Sequence, residues 1–368
     1  MRILFQSVGI LAHYNWGLPF YLLKERNGLK IDIICSVYSF LMGGYYYYSK
    51  SGNRLGIKFS NTGVSLTDNL MGNFSLSSKC IKKEKYDIIH INALGDSFTK
   101  SLLSSKPSKI FTFHGSLDIV SPTINCELQK IFFKVDVSVA VSNYSAKTIQ
   151  QVYEIKPVVI HHGVDLSIFN PGIVTRNVAR RKLGLHPNKK IILWNARMSP
   201  EKRIETLILA LPNIVKNYND ALLVIKSRAI NRDYWLKIES YIKKLNLKKY
   251  IKLDLSWTPF PKMSFYYKAA DVFVNTSTTE AFGSLAMLEA MACGLPVIGN
   301  DASSIPEAIG NSGLLYDGTS KDLAEKVLEI VSNDRLSNEL SNKAYKRVQE
   351  NFSLNTTARK YLYLYQRL

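Results

Sequence analysis

Four cysteines are scattered through the sequence, Cys35, Cys80, Cys126 and Cys293, with no CxxC pair and no metal-finger spacing. That pattern argues against a disulfide framework or a zinc site and for buried thiols in a reducing compartment. No stretch of about 18 uninterrupted apolar residues occurs, so no segment is expected to span a membrane. Arg2 to Val8 is apolar, but Gln6, His13 and Asn15 interrupt the run and no small-residue cleavage site appears after it. The segment therefore reads as an opening strand and not as a secretory signal. No G-x-G-x-x-G comes after it; Gly9 stands alone before Ile10, Leu11 and Ala12, which argues against a dinucleotide dehydrogenase. There is also no DxD motif.

Acidic residues are scarce, 29 against 48 lysines and arginines, for a net charge of +19. The excess is +7 in residues 1–170 (18 basic, 11 acidic) and +12 in residues 171–368 (30 basic, 18 acidic). Lys79, Lys82, Lys83 and Lys85 cluster in one half, and Lys243, Lys244, Lys248, Lys249 and Lys252 in the other. Such a surplus attracts nucleic acid, anionic lipid or a phosphorylated small substrate. Single lysines read most simply as solvated decoration. The whole molecule suits peripheral contact with an anionic membrane, where each lysine near the surface contributes roughly 1 kcal/mol.

At 368 residues and 46% hydrophobic content the chain is globular and long enough for two cores. Apolar, Val/Ile/Phe-rich runs at 3–8, 31–36, 87–92, 109–114, 135–141 and 158–161 alternate with helical stretches such as 18–25 and 144–152. A second alternating set has strands at 191–194, 222–226, 251–255, 272–275 and 296–299, and helices at 201–216, 234–245, 262–270 and 322–332. Alternation of this kind implies parallel, doubly wound sheets. Asn170–Pro171–Gly172 and the basic stretch to Lys190 form the linker candidate. Residues 38–66, with Gly43–Gly44 and the run Tyr45–Tyr48, read as a long loop or small insertion.

The most informative segment runs from Asp271 to Glu307: strand, short polar loop, helix, strand. A βαβ unit puts that loop at the carboxyl edge of the sheet, where open α/β sheets bind ligands. Free N–H groups and the dipole at the helix start attract phosphate. Glu280 and Glu289 would repel phosphate, so they are expected to face sugar hydroxyls. Arg197 and Lys202 flank another strand-to-helix turn, a fork and a point charge suited to one diphosphate. His114 ends an earlier strand; alone it would read as a core histidine. His161 and His162 are adjacent, point in opposite directions along a strand and lack a nearby carboxylate, so no metal site is expected. Asp165 reads as a turn brace.

TFHG at 112–115, AVSNYS at 140–145, HHGVDLSIF at 161–169, NARMSPEKR at 195–203 and the segment from Asp271 together resemble the GT-B retaining glycosyltransferases of family 4. The resemblance covers nearly the full chain, in family order. It implies two Rossmann-like domains facing across a cleft, with residues 1–170 on the acceptor side, 171–352 on the donor side, and 353–368 as a helix returning to the first domain. It implies transfer of a sugar from a UDP- or GDP-linked donor with retention, without metal or other cofactor. On matching positions, His114 and Glu280 become the catalytic candidates. Arg197 and Lys202, with the backbone N–H groups of Phe282, Gly283 and Ser284, would hold the diphosphate, and Glu289 the ribose. A loop at Trp16 and Gly17 would border the acceptor. The implied acceptor is a saccharide or lipid-linked hydroxyl in surface polysaccharide or glycolipid synthesis. The implied place is the cytoplasm, at the inner face of the membrane, with no nucleic-acid partner.

Departures from the family pattern are visible. Eight residues separate Glu280 from Glu289 where seven are usual; inside a helix the extra residue would rotate one glutamate by about 100° relative to the other, and the loop near Ser284 is expected to absorb it. Ala196 stands where a glycine is usual, Lys226–Ser227–Arg228 replaces a glycine-rich turn, Ala302–Ser303–Ser304 lacks glycines often found there, and Gly17 is what remains of a glycine pair. The competing readings are a sugar-nucleotide epimerase or phosphorylase on the same fold, and a non-catalytic protein that binds nucleotide-sugar or membrane.

Overall fold

The structure, a computed structural model, describes residues 1–6, 12–35, 55–59, 85–92, 99, 102–227 and 231–368. The tyrosine run at 45–48, Cys80, Lys79, Lys82, Lys83 and Arg228 lie outside the described residues. By its contacts the chain divides into two units, Met1–Gly163 with Ser353–Leu368, and Val164–Phe352.

The first unit is built on β1 (Arg2–Gln6), α1 (Ala12–Glu25), β2 (Lys30–Cys35), β3 (Leu55–Phe59), β4 (Ile88–Ile91), β5 (Ser108–Phe113), α2 (Pro122–Phe132), β6 (Val137–Ala140), α3 (Asn143–Tyr153) and β7 (Val158–Val159). Among the described residues its seven strands lie in the order β3-β2-β1-β4-β5-β6-β7, and every pair is parallel. The order reverses between β1 and β4, the switch point at which open sheets hold ligands. Strand β3 falls within the stretch expected as a loop; its neighbours Arg54 and Ser60 lie outside the described residues.

The second unit contains α4 (Arg176–Lys182), β8 (Lys190–Asn195), α5 (Ile204–Asn217), β9 (Ala221–Lys226), α6 (Arg232–Lys244), β10 (Ile251–Asp254), α7 (Ser264–Ala269), β11 (Val272–Asn275), α8 (Leu285–Ala292), β12 (Val297–Asn300), α9 (Ile305–Ile309), β13 (Leu314–Tyr316), α10 (Ser320–Val331) and α11 (Asp334–Asn351). Its parallel strands run β10-β9-β8-β11-β12-β13, with the switch between β8 and β11. The final helix, α12 (Leu354–Tyr365), belongs to the first unit and packs on α1.

Ordinary rules account for most of these elements. Ile204, Leu207, Ile208, Leu211 and Ile214 recur at helical spacing and fill the second core from α5, against Leu223 and Ile225 of β9. Ser121, Ser142, Thr175, Asn231, Thr319, Asn333 and Ser353 each cap a helix with a side-chain oxygen. The stretch expected as a basic linker instead holds α4. Its Arg180, 6% exposed at the side chain, bonds Asp271 Oδ2 at 2.7 Å, and Asp271 also accepts from Ile191 N at 2.6 Å. This ties the start of β11 to that of β8.

Gly163 lets the last helix come close. A Cβ there would lie 2.8 Å from the backbone nitrogen of Leu354, too near for any side chain. Of the cysteines, Cys293 is buried as expected, but Cys126 is exposed on α2.

Candidate functional site

Two clusters of polar side chains occupy the two switch points. In the second unit, β8 ends at Asn195 and the chain turns through Arg197, Met198 and Ser199 into a short 3-10 turn, Pro200–Lys202. Arg203 then adopts a left-handed conformation (φ 46°) before α5 begins. Lys202 is thus outside the helix, where the sequence pattern had placed it at the start of a helix over 201–216. Its Nζ donates to Glu280 Oε1 at 2.6 Å, and both side chains are largely buried. Arg197 is exposed and pairs at 3.2 Å with Glu201, a partner that no sequence motif singles out. The 196–203 turn is held against the loop after β11: Thr278 N donates to Glu201 O at 3.1 Å, and Thr276 Oγ1 donates to Lys202 O at 2.5 Å while accepting from Trp194 Nε1 at 2.9 Å.

Glu280 lies in that loop, five residues before α8 starts at Leu285. The loop before Ser284 therefore absorbs the extra residue, as expected, and no helical rotation arises. Ser303 and Ser304 close the loop from the β12 side. Ser304 Oγ donates to Glu280 O at 2.8 Å and accepts from Gly283 N at 3.0 Å; Ser303 Oγ accepts from Glu280 N at 3.1 Å. The Gly283 N–H expected to meet phosphate is thus bonded to a serine. Gly283 sits at φ 58°, and a Cβ would lie 2.6 Å from Ala308 Cβ and 2.7 Å from Met287 Cε. Ser284 caps α8 by accepting from Met287 N at 3.2 Å, and Phe282 is buried against Phe352. The first N–H groups of α8, from Leu285 and Ala286, lie where a helix has no internal acceptor.

Glu289 is on α8, partly buried. Its Oε2 accepts from Tyr267 Oη at 2.6 Å, and Tyr267 Oη accepts in turn from Asn195 Nδ2 at 2.9 Å. Burial pushes the Glu289 carboxyl up to about 7, against the opposing effect of the tyrosine hydroxyl. Neither Tyr267 nor Asn195 was legible as a site residue: a tyrosine on a six-residue helix, 22 residues from its partner, carries no local signal.

In the first unit the ends of β1, β4 and β5 carry a second cluster. Asn92 Nδ2 donates to Gln6 O at 2.8 Å, which turns Asn92 Oδ1 towards His114 Nε2, 2.8 Å away. His114 Nε2 therefore carries a proton, and its Nδ1 accepts from His162 Nε2 at 2.9 Å, the two rings being stacked. Burial, with the nearby His90, lowers the His114 pKa to about 3, so the ring is neutral. Deeper in the unit, His90 binds Tyr365 Oη through Nδ1 (2.6 Å) and Thr112 Oγ1 through Nε2 (2.7 Å); Thr112 Oγ1 also meets Tyr361 Oη at 2.9 Å. Two tyrosines of α12 thus anchor to the strands beside His114.

His162, which the sequence singled out only against a metal site, meets His114 directly. Asp165 accepts from Ser167 N and Oγ, a local turn brace. Trp16 and Gly17, expected in an acceptor-side loop, lie inside α1, with Gly17 buried. Among the described residues no group of three or more His, Cys, Asp or Glu side chains is placed to hold a metal. No described helix is long and apolar enough to cross a membrane.

Comparison with known proteins matches residues 25–168 to the family model "Glycosyltransferase Family 4" and residues 175–347 to "Glycosyl transferases group 1". The chain is 27% identical over 305 residues to spore coat protein SA of Bacillus subtilis (strain 168), covering 78% of this chain and 80% of that protein. It is 32% identical over 201 residues to the alpha-monoglucosyldiacylglycerol synthase of Streptococcus pneumoniae R6, covering 53% of this chain and 44% of the synthase, less than half of its length. Among solved structures, Anabaena Alr3699/HepE in complex with UDP superposes with a TM-score of 0.76 at 19% identity, over all of both chains, a likeness of fold.

Proposed function

This chain belongs to the GT-B glycosyltransferases of family 4, and we propose that it moves a hexosyl unit, with retention and without metal, from a nucleotide-diphosphate donor to a saccharide or lipid-linked hydroxyl. Transfer of a sugar from a nucleotide-sugar is the reaction of the family. The observation that carries the site assignment is the convergence of Lys202, Glu280 and the start of α8 on one switch point, with Glu289 on the same helix.

In this reading Arg197 and Lys202 take the charge of the departing diphosphate, aided by the N–H groups at the start of α8. Glu280 approaches the donor sugar, and Glu289 accepts from the ribose. His114 is the catalytic candidate of the first unit. Catalysis comes from positioning and charge stabilisation, with a same-face displacement assisted by the leaving phosphate.

A lipid-linked acceptor at an anionic membrane is supported by the net charge of +19 and by Lys243, Lys244, Lys248 and Lys249, all exposed. The name of the Streptococcus pneumoniae relative, a synthase of a glucosylated diacylglycerol, points the same way. Donors built on UDP and on GDP both remain in this reading.

A second reading, nucleotide-sugar binding without turnover, draws on the engagement of the Gly283 N–H by Ser304 and of Lys202 by Glu280. Calorimetric titration with UDP, GDP and ADP, first with EDTA and then with magnesium, tests both. Metal-free binding of one nucleotide, lost in Glu289→Ala, supports the site, and donor turnover under EDTA supports catalysis. Binding without turnover favours the second reading, and no binding by folded protein sinks the site.

A further inference from the structure

We propose that Tyr267 is a positioning residue for the donor nucleotide: it pins one oxygen of Glu289 so that the other is presented to the ribose. This role rests on the reading of Glu289 as the ribose acceptor and adds what aims that carboxylate. Tyr267 is 1% exposed, and its ring is fixed edge-on by Phe169 and Phe273. Its hydroxyl has one proton, donated to Glu289 Oε2, and its oxygen accepts from Asn195 Nδ2. The direction of the chain, Asn195 to Tyr267 to Glu289, is therefore set by the asparagine at the end of β8. No described residue hydrogen-bonds Glu289 Oε1, and Glu289 is partly exposed where Tyr267 is not. One oxygen belongs to the fold and one is left for a ligand hydroxyl.

The same arrangement governs protonation. An O–H donated to Oε2 favours the ionised carboxylate and opposes its desolvation. The groups facing Glu289 are Tyr267 from α7, with Lys268 behind it near the Cys293 carbonyl (3.4 Å), and the buried Cys293 after its own helix. Among the described residues, β11, β12 and α11, which pack on α8, add no hydrogen bond or ion pair to Glu289. Only the ionised Oε1 is a full acceptor for a ribose hydroxyl, so nucleotide affinity rises with pH through about 7.

The test measures the affinity of the full chain for the nucleotide it binds, UDP or GDP, from pH 5.5 to 8.5, in wild type and in Tyr267→Phe, Asn195→Ala and Glu289→Gln. Tyr267→Phe is expected to weaken binding about tenfold or more at pH 7, the usual effect of losing a hydrogen bond to a charged group. It is also expected to move the midpoint of the pH profile upward. Asn195→Ala keeps the tyrosine donor and shifts the midpoint less. A purely structural tyrosine would lower the melting temperature and leave the midpoint in place, which would overturn the proposal. Should Glu289→Gln bind as wild type does, the ribose reading itself falls; should it bind weakly while Tyr267→Phe binds normally, only the positioning role falls.

Discussion

Lys202 Nζ and Glu280 Oε1 are 2.6 Å apart although 78 residues separate them in the chain, and their side chains are only 13% and 12% exposed. The pair joins the two loops of the switch point in the second unit. Replacing one member leaves the other charged and poorly solvated. Lys202→Met is expected to lower kcat by about a hundredfold, the scale of losing one donor to a developing anion. It should also destabilise the unit, and adding Glu280→Gln should restore stability but not turnover. Chemical denaturation and donor turnover on the three variants check this.

The Asp271 carboxylate is expected to be among the costliest to remove. It accepts from Arg180 and Arg176 and from the backbone of Ile191. Asp271→Ala strands a buried guanidinium and should cost about 3–5 kcal/mol. Asp271→Asn, which keeps an acceptor, should cost less. The readout is the denaturant midpoint at unchanged slope.

Acid should weaken the first unit. Burial lowers the pKa of His90 to about 3 against an ordinary 6.5, and that of His114 also to about 3. Below pH 6.5 the unfolded chain takes up protons that the native histidines refuse, so the stability they confer is full above pH 6.5 and falls towards pH 3. Each histidine contributes a slope of up to about 1.4 kcal/mol per pH unit. Glu289 in the second unit has the opposite sign: its raised pKa makes the native state hold a proton longer, so its contribution falls as pH rises from 4.5 to about 7. Hydrogen exchange at pH 5 and pH 7 should show strands β4 and β5 less protected at the lower pH; a uniform response in both units would contradict this.

Gly283→Ala is expected to damage donor binding more than any neighbouring conservative change. The left-handed backbone costs an alanine about 1–2 kcal/mol, and its Cβ would meet Ala308 and Met287 at 2.6 and 2.7 Å. Relief requires moving α8 or α9, and with α8 the start of the helix and Glu289. Kd for the nucleotide should rise, while Ala281→Gly, in the same loop, should leave it nearly unchanged.

Periodicity and residue type alone determined the class of fold. Apolar runs bounded by turn residues locate eleven of the thirteen strands among the described residues to within a few positions, because a buried parallel strand must be apolar along its length. Strands β3 and β13 were missed: the first sits among polar, glycine-containing sequence, and Leu314–Tyr316 is only three residues long. Helix α11 escaped because its buried residues, Leu340, Ala344 and Val348, form a stripe too thin to stand out among charged neighbours.

The proposed site residues divide in the same way. Arg197, Lys202, Glu280, Glu289 and His114 stand out as candidates because strand-to-helix turns and motif order point to them. Their partners were not. The bonds from Lys202 to Glu280, from Asn195 through Tyr267 to Glu289, and from Gln6 through Asn92 and His114 to His162 cross between strands and helices remote in sequence. A sequence records which groups are available at the end of each strand. Which of them share a proton depends on strand order and on the few tenths of an ångström that separate a hydrogen bond from a gap, and only the folded chain sets those.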